Sequence, residues 1–89
     1  MNTQTRHHID SSTIIINGRK IQAPHRVELE QGQRYFAALP SGWDWHIAGT
    51  WGAGLSDQFW LDRGLLHLTK EAAIAHAKAL VSFTSKEGA

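Results

Sequence analysis

Histidine is the side chain of this chain best suited to chemistry near neutral pH, and six are present. Neutral imidazole is a common metal ligand, but its sites usually show paired ligands such as H-x₃-H or H-E-x-x-H, and neither occurs here. His67 and His76 fall in a predicted strand and a predicted helix, and His7 and His8 lie in a polar N-terminal segment. We therefore expect no metal and no other cofactor, with His67 and His76 as partly buried residues bonded to nearby backbone.

A second arrangement is the pair Asp44 and His46, which a β-strand would place on one face, where the carboxylate could orient the imidazole. A nucleophile is missing, because the chain has no cysteine and no G-x-S-x-G motif surrounds a serine. The spacing of Gly49, Gly52 and Gly54 matches no phosphate-binding loop. We predict that the protein is not an enzyme, with a small hydrolase using Asp44 and His46 as the weakest alternative.

Aromatic residues offer binding rather than catalysis, since the chain has four tryptophans. One helix cannot cover every large ring in so small a domain, so we expect at least one of Trp43, Trp51 and Trp60 to be exposed. Trp60 with Arg63 is typical of interface hot spots, and the glycine-rich segment 52–56 beside them is predicted to be a mobile loop. The predicted binding surface comprises Trp51, Gly52, Gly54, Trp60 and Arg63.

The clearest local pattern is Asn17-Gly18 between two apolar runs, which predicts a β-hairpin over residues 13–22 with a type I′ turn. The two-residue turn places Ile14 opposite Ile21, and the face with Ile14, Ile16 and Ile21 should be buried. Further short strands are predicted at residues 34–39, 43–51, 59–61 and 65–68. In the strand at 43–51, alternation predicts that Trp43, Trp45, Ile47 and Trp51 share one face.

Thr69 is a predicted N-cap for a helix over residues 70–84, whose apolar stripe centred on Ala77 should face a sheet. The predicted fold class is therefore α+β, with an antiparallel β-sheet of four to six short strands and one C-terminal α-helix packed on one face. The length of 89 residues allows one domain. We expect a flexible N-terminal arm at residues 1–11 and a single α+β domain at residues 12–86.

The amino-acid composition bears on whether the chain binds nucleic acid and on whether it enters a membrane. Nine Lys or Arg balance eight Asp or Glu, for a net charge of +1, and no basic block is present, which disfavours nucleic acid without excluding it. No apolar window approaches the length of a membrane span, and the polar N-terminus has no signal-peptide pattern. The absence of cysteine agrees with a cytoplasmic location.

The segment Gly64-Leu-Leu-His-Leu-Thr-Lys-Glu-Ala-Ala-Ile-Ala-His-Ala-Lys-Ala-Leu80, preceded by Asp57 and the tryptophan-rich strand, resembles the C-terminal part of small proteins of unassigned function encoded by bacteriophages and prophages. The resemblance covers about the last half of the chain. It implies a cytoplasmic bacterial or phage protein, such as an accessory or anti-defence factor that contacts a host protein. No catalytic residue carries over.

The predicted function is that of a small non-enzymatic binding or regulatory protein that acts through protein–protein contact. The sequence names neither the protein partner nor the oligomeric state. The alternative is a single-stranded nucleic-acid-binding module, with an exposed tryptophan or Tyr35 stacking on bases. The cations that would follow the phosphates are Arg19, Lys20, Arg26 and Arg34.

Overall fold

The computed structural model describes residues 12–82, which form five short strands and two helices. The strands are β1 (Thr13–Ile16), β2 (Arg19–Gln22), β3 (Arg34–Ala38), β4 (His46–Thr50) and β5 (Leu66–His67). The helices are α1 (Leu55–Asp62) and α2 (Lys70–Leu80). The predicted α+β class is confirmed, although the antiparallel strands form two sheets, β1-β2 and β4-β3-β5, instead of one. The predicted arm at residues 1–11 lies outside the described residues.

The hairpin β1-β2 forms as predicted. Asn17 and Gly18 have φ angles of 50° and 80°, the positive values that a type I′ turn requires. Ile14 pairs with Ile21, which confirms the predicted register. The Asn17 side-chain amide also donates to the Ser82 hydroxyl over 2.9 Å, so the tip of the hairpin is tied to the end of α2.

Side chains alternate between the two faces of the three-stranded sheet along its central strand β3, and a helix packs against each face. Tyr35 shares one face with Leu66, and this face packs against α1. Phe36 is paired with His67 on the other face, where α2 packs. The predicted C-terminal helix on one face of the sheet is thus confirmed, and α1 on the opposite face was not predicted.

Helix α1 replaces the strand predicted at residues 59–61, so that prediction is wrong. A three-residue apolar run cannot distinguish strand from helix by its own pattern. The helical period turns Asp57, Trp60 and Leu61 toward the sheet and leaves Leu55 and Phe59 exposed. The sequence interpretation had treated residues 59–61 as a strand, and it therefore did not predict which side chains of this segment face the sheet.

The strand predicted at residues 43–51 begins only at His46. Trp43 lies in the preceding turn with 99% of its surface exposed, and Trp45 adopts a positive φ of 65°. This turn breaks the predicted alternation, so Trp43 and Ile47, which is 43% exposed, are not core residues. Trp51, at 3% exposure, is the fully buried member of that predicted face.

Helix α2 begins at its predicted N-cap, where the Thr69 hydroxyl accepts a hydrogen bond from the Ala72 amide over 3.2 Å. Ala73 and Ala77 are fully buried, which confirms the centre of the predicted stripe. The helix ends at Leu80, which is 37% exposed, and residues 83 and 84 of the predicted helix lie outside the described residues. Within residues 12–82, neither helix is long and apolar enough to cross a membrane.

Candidate functional site

The buried carboxylate of Asp57 fixes the segment that precedes α1. Its Oδ2 accepts the amide of Gly52 over 2.8 Å and that of Gly54 over 3.1 Å, and its Oδ1 accepts the Tyr35 hydroxyl over 2.5 Å. The second of these bonds is the side-chain half of a capping box at the start of α1. The segment predicted to be a mobile loop is therefore a defined turn that leads directly into a helix.

These hydrogen bonds also set the charge of the cluster. The Tyr35 hydroxyl and the Gly52 amide hold the pKa of Asp57 below its ordinary value of 3.8, against the opposing effect of burial. Burial, followed by the hydrogen bond to Asp57, raises the pKa of Tyr35 to about 12. At neutral pH the cluster consequently pairs a charged carboxylate with a neutral phenol.

Gly49 allows the Tyr35 ring to reach Asp57. The two residues are opposite each other in β3 and β4, and the ring crosses directly over the glycine. A Cβ atom at position 49 would stand 2.6 Å from Tyr35 Cζ, which is closer than side chains tolerate. Gly49 thus has a structural function that the sequence analysis did not predict.

The outer face of α1 carries a stripe of three side chains spaced four residues apart, Leu55, Phe59 and Arg63. Leu55 is 92% exposed and Phe59 is 44% exposed. The guanidinium carbon of Arg63 lies 4.5 Å from the centroid of the Phe59 ring, at cation–π distance. We call these three residues the α1 stripe; it combines apolar area with one cationic end.

Of the five predicted site residues, the structure places only Arg63 on the α1 stripe. Trp60 is half-buried and packs against the core cluster that contains Tyr35 and Trp51. Trp51 is part of that core and is not available to a partner, which corrects its inclusion in the predicted binding surface. Gly52 and Gly54 are exposed but bonded to Asp57.

The sequence interpretation missed Leu55 and Phe59, the two apolar members of the stripe. A usable signal was present, because Gly54 followed by Asp57 has the spacing of a helix N-cap and an acidic residue at the third helical position. Extending a helical period from that point would have placed Leu55 and Phe59 on the same side.

On the opposite face of the sheet, His67 and His76 form a buried pair. They are 2% and 4% exposed, and His67 Nε2 lies 2.8 Å from His76 Nδ1. The prediction of partly buried histidines bonded to backbone is therefore wrong, since both are buried and one nitrogen of each ring bonds to the other ring. One of the two nitrogens must accept the shared hydrogen, so the hydrogen bond requires at least one neutral ring.

Burial disfavours charge on this pair. It lowers the pKa of His67 to about 4, with a further contribution from the charge of His76. Burial also lowers the pKa of His76, and the nearby cation Arg26 lowers it further. The pair is consequently uncharged at neutral pH. Within residues 12–82 no three His, Asp or Glu side chains are grouped to hold a metal ion.

A pocket of about 370 Å³ opens beside His67. It lies where the end of β2, the segment after it, the end of β5 and the first turn of α2 meet. Its ionisable lining residues are His25, Arg26 and His67, and no carboxylate lines it. The complete lining is Ser12, Gln22, Ala23, Pro24, His25, Arg26, His67, Leu68, Thr69 and Ala72.

The Asp44–His46 pair does not assemble in the predicted form, and the nucleic-acid alternative loses Tyr35 but keeps an exposed tryptophan, Trp43. His46 Nδ1 bonds to the backbone carbonyl of Asp44 over 2.8 Å, so the main chain and not the carboxylate orients this imidazole. Tyr35, proposed to stack on bases, is 3% exposed. Arg34, one of the proposed phosphate contacts, lies 5.9 Å from the centroid of the Phe36 ring.

No protein-family model matches this chain, and no curated protein or solved structure matches it either. The function must therefore be inferred from the surfaces and buried groups themselves. Among residues 12–82, the α1 stripe on one side of the sheet and the pocket beside His67 on the other both offer binding capacity.

Proposed function

We propose that the protein is a small non-enzymatic binding protein that acts by protein–protein contact through the α1 stripe. The observation that carries this proposal is the exposure of Leu55 and Phe59 on the outer face of a helix whose inner side is fixed by Asp57. A structural role explains the inward residues of α1. It leaves the outward apolar pair without a purpose in the isolated chain.

The energetics of the stripe favour a contact. Full burial of a side chain such as Leu or Phe contributes roughly 1.5–3 kcal/mol, so the exposed area of Leu55 alone is a substantial source of affinity. Arg63, stacked on Phe59, adds a charge with planar donors beside the apolar patch. Because the preceding turn is already ordered by Asp57, little conformational entropy has to be lost on binding.

The partner that fits this surface has an apolar groove for the Leu55–Phe59 side of the helix and a carboxylate at the end that meets Arg63. The resemblance to bacteriophage and prophage proteins adds a candidate class. We propose that the partner is a bacterial host protein and that this protein acts as an accessory or anti-defence factor. This protein is expected to bind the partner only when it is itself folded, since the binding helix needs its anchor at Asp57.

The test is capture from a bacterial lysate followed by titration of the purified partner against matched variants. Phe59→Ala should weaken binding by about 2 kcal/mol, which is roughly thirtyfold in Kd, and Leu55→Ala should weaken it as well. Ile15→Ala is the control, because Ile15 is also an exposed apolar residue, at 71%, but lies on the hairpin.

Circular dichroism melts should show that Leu55→Ala, Phe59→Ala and Ile15→Ala fold like wild type, since Leu55 and Ile15 are largely exposed and Phe59, at 44% exposure, lies outside the core cluster. Trp60→Ala should instead lower thermal stability, because Trp60 packs on the core. Binding that survives both stripe substitutions, or that falls equally in Ile15→Ala, would show that the contact lies elsewhere.

A further inference from the structure

The pocket beside His67 lies on the α2 side of the sheet and takes no part in the α1 stripe. Arg26 contributes its strongest charge, and the Arg26 Nη1 atom lies 3.5 Å from the point where a Cβ on Gly64 would stand. The guanidinium is thus placed against the backbone at Gly64, and Gly64 itself has a positive φ of 70°.

Polar donors reach the pocket from several elements. Arg26 and His25 come from the segment after β2, and Thr69 comes from the N-cap of α2. The Thr69 oxygen already accepts the Ala72 amide, so its hydroxyl hydrogen remains available to donate. His67 closes the inner wall with a ring that is 2% exposed. Since no carboxylate lines the pocket, its electrostatic character favours an anion.

Apolar lining accompanies these donors. Ala23, Pro24, Leu68 and Ala72 also face the pocket. The volume of about 370 Å³ falls within the range of roughly 300–1,000 Å³ that small-molecule sites occupy. A pocket for an inorganic ion alone would need neither this volume nor these apolar side chains.

We propose that this pocket binds a small organic phosphate, with Arg26, His25 and Thr69 holding the phosphate and the apolar lining residues contacting the organic part. Phosphate fits better than carboxylate because it presents three or four acceptor oxygens in a tetrahedral arrangement, which suits donors that converge from different elements. Arginine in particular binds phosphate with two parallel hydrogen bonds. The His67 ring forms part of the pocket lining beside these donors.

The experiment uses phenyl phosphate and inorganic phosphate as probes in titrations followed by NMR on the full chain. Phenyl phosphate should bind more tightly than inorganic phosphate, with shifts concentrated at residues 23–26 and 67–72. Arg26→Gln should raise the Kd for both probes about tenfold or more, because it removes the charged hydrogen bonds. Arg19→Gln, which makes the same charge change on the exposed hairpin, should leave both within about twofold.

A second variant tests the organic part of the ligand. Ala72→Leu fills the apolar wall without changing any charge, and its backbone amide can still bond to Thr69. The substitution should weaken the binding of phenyl phosphate and leave the Kd for inorganic phosphate nearly unchanged. Equal weakening of both probes would show that Ala72 supports the fold of the pocket and contacts no ligand, which would overturn the assigned orientation.

Phosphate could also come from nucleic acid, and a single-stranded oligonucleotide distinguishes that source. One contrary result is that the oligonucleotide binds more tightly than phenyl phosphate, with an affinity that depends equally on Arg19 and Arg26. That result would place phosphate recognition on a dispersed cationic surface and would overturn the pocket proposal. The absence of saturable shifts with millimolar phenyl phosphate would overturn it as well. The protein-contact proposal is independent of both results, since its stripe lies on the other face of the sheet.

Discussion

Two buried polar clusters lie on opposite faces of the three-stranded sheet and satisfy their polar atoms in opposite ways. On the α1 side, Asp57 keeps its charge because Tyr35 and two backbone amides donate to it. On the α2 side, His67 and His76 are in the neutral form and hydrogen-bond to each other. Donors stabilise the buried carboxylate anion, whereas burial of the two imidazoles favours their neutral form.

The difference separates the pH ranges in which each cluster supports the fold. The pKa of Asp57 is lowered on folding, so its contribution is present above the ordinary value of 3.8 and is lost as the pH falls below it. The pKa of His67 is also lowered, from 6.5 to about 4, so unfolded chains bind protons across that interval and folded ones do not. Acid therefore weakens the α2 side first, while the turn beneath the α1 stripe still keeps its anchor.

The largest expected effect is that of Asp57→Ala, which should lower the free energy of unfolding by about 3 kcal/mol. The substitution leaves the Tyr35 hydroxyl and the amides of Gly52 and Gly54 without their acceptor. Urea denaturation measures the loss. Asp62→Ala is the matched control on the exposed end of α1 and should stay within about 0.5 kcal/mol of wild type. Equal stability of the two variants would remove Asp57 as the anchor.

The second prediction concerns the histidine pair and acid. Between pH 7 and pH 5 the free energy of unfolding should fall by about 2 kcal/mol on account of His67, whose pKa lies at about 4 in the folded chain and near 6.5 in the unfolded one. Urea titrations at both pH values measure the change.

Replacing both histidines of the pair with leucine should remove most of this pH dependence, because two apolar partners of similar size leave no unpaired polar atom. His46→Gln is the control and should keep the full dependence, since His46 is held at the surface by the Asp44 carbonyl. A double variant as acid-sensitive as wild type would mean that other groups set the response.

The third prediction tests the clearance for Tyr35. Gly49→Ala should cost about 2 kcal/mol, because its Cβ would collide with the Tyr35 ring and displace the hydroxyl from Asp57. In a Tyr35→Leu background, where no ring crosses position 49, the same change should be nearly neutral. Thermal melts of wild type, the two single variants and the double variant give the coupling free energy between Gly49 and Tyr35. Additive losses would show that Gly49 acts through the backbone alone.

Local signals allowed part of this fold to be predicted. Asn17-Gly18 specified the hairpin and its register, and Thr69 specified the start of α2, because turn and cap geometry depend on residues close in sequence. Helix α1 was missed because its apolar run, Phe59-Trp60-Leu61, is too short to show a period. The outward positions of Leu55 and Phe59 were missed with it.

The buried clusters could not be predicted in the same way. The partners of Asp57 come from β3 and from the turn before α1, and His67 meets His76 only because α2 packs over β5. Such pairings depend on the relative placement of elements, about which residue spacing carries little information. Sequence identified the histidines as suitable for chemistry, and tertiary packing determined that two of them are buried together as an uncharged pair.

The smallest predicted effect concerns the backbone of the turn that Asp57 holds. Its one described residue with positive φ is Ala53, at 59°, between the two glycines whose amides bind the carboxylate. An L-residue in this region carries strain of about 1–2 kcal/mol, and glycine would relieve it at the cost of greater freedom in the unfolded chain. Ala53→Gly should therefore stabilise the protein by about 0.5 kcal/mol.

Gly54→Ala is the informative comparison for Ala53→Gly. Gly54 has a φ of −79°, and a Cβ there would lie 3.9 Å from Asp57 Oδ2, an ordinary contact. Alanine is nevertheless a poorer N-cap than glycine, so this variant should lose a few tenths of a kcal/mol. Urea denaturation should give Ala53→Gly a higher free energy of unfolding than wild type and Gly54→Ala a lower one. If Ala53→Gly is instead destabilising, unfolded-state entropy dominates at this position, and the turn is held less firmly by Asp57 than its three hydrogen bonds indicate.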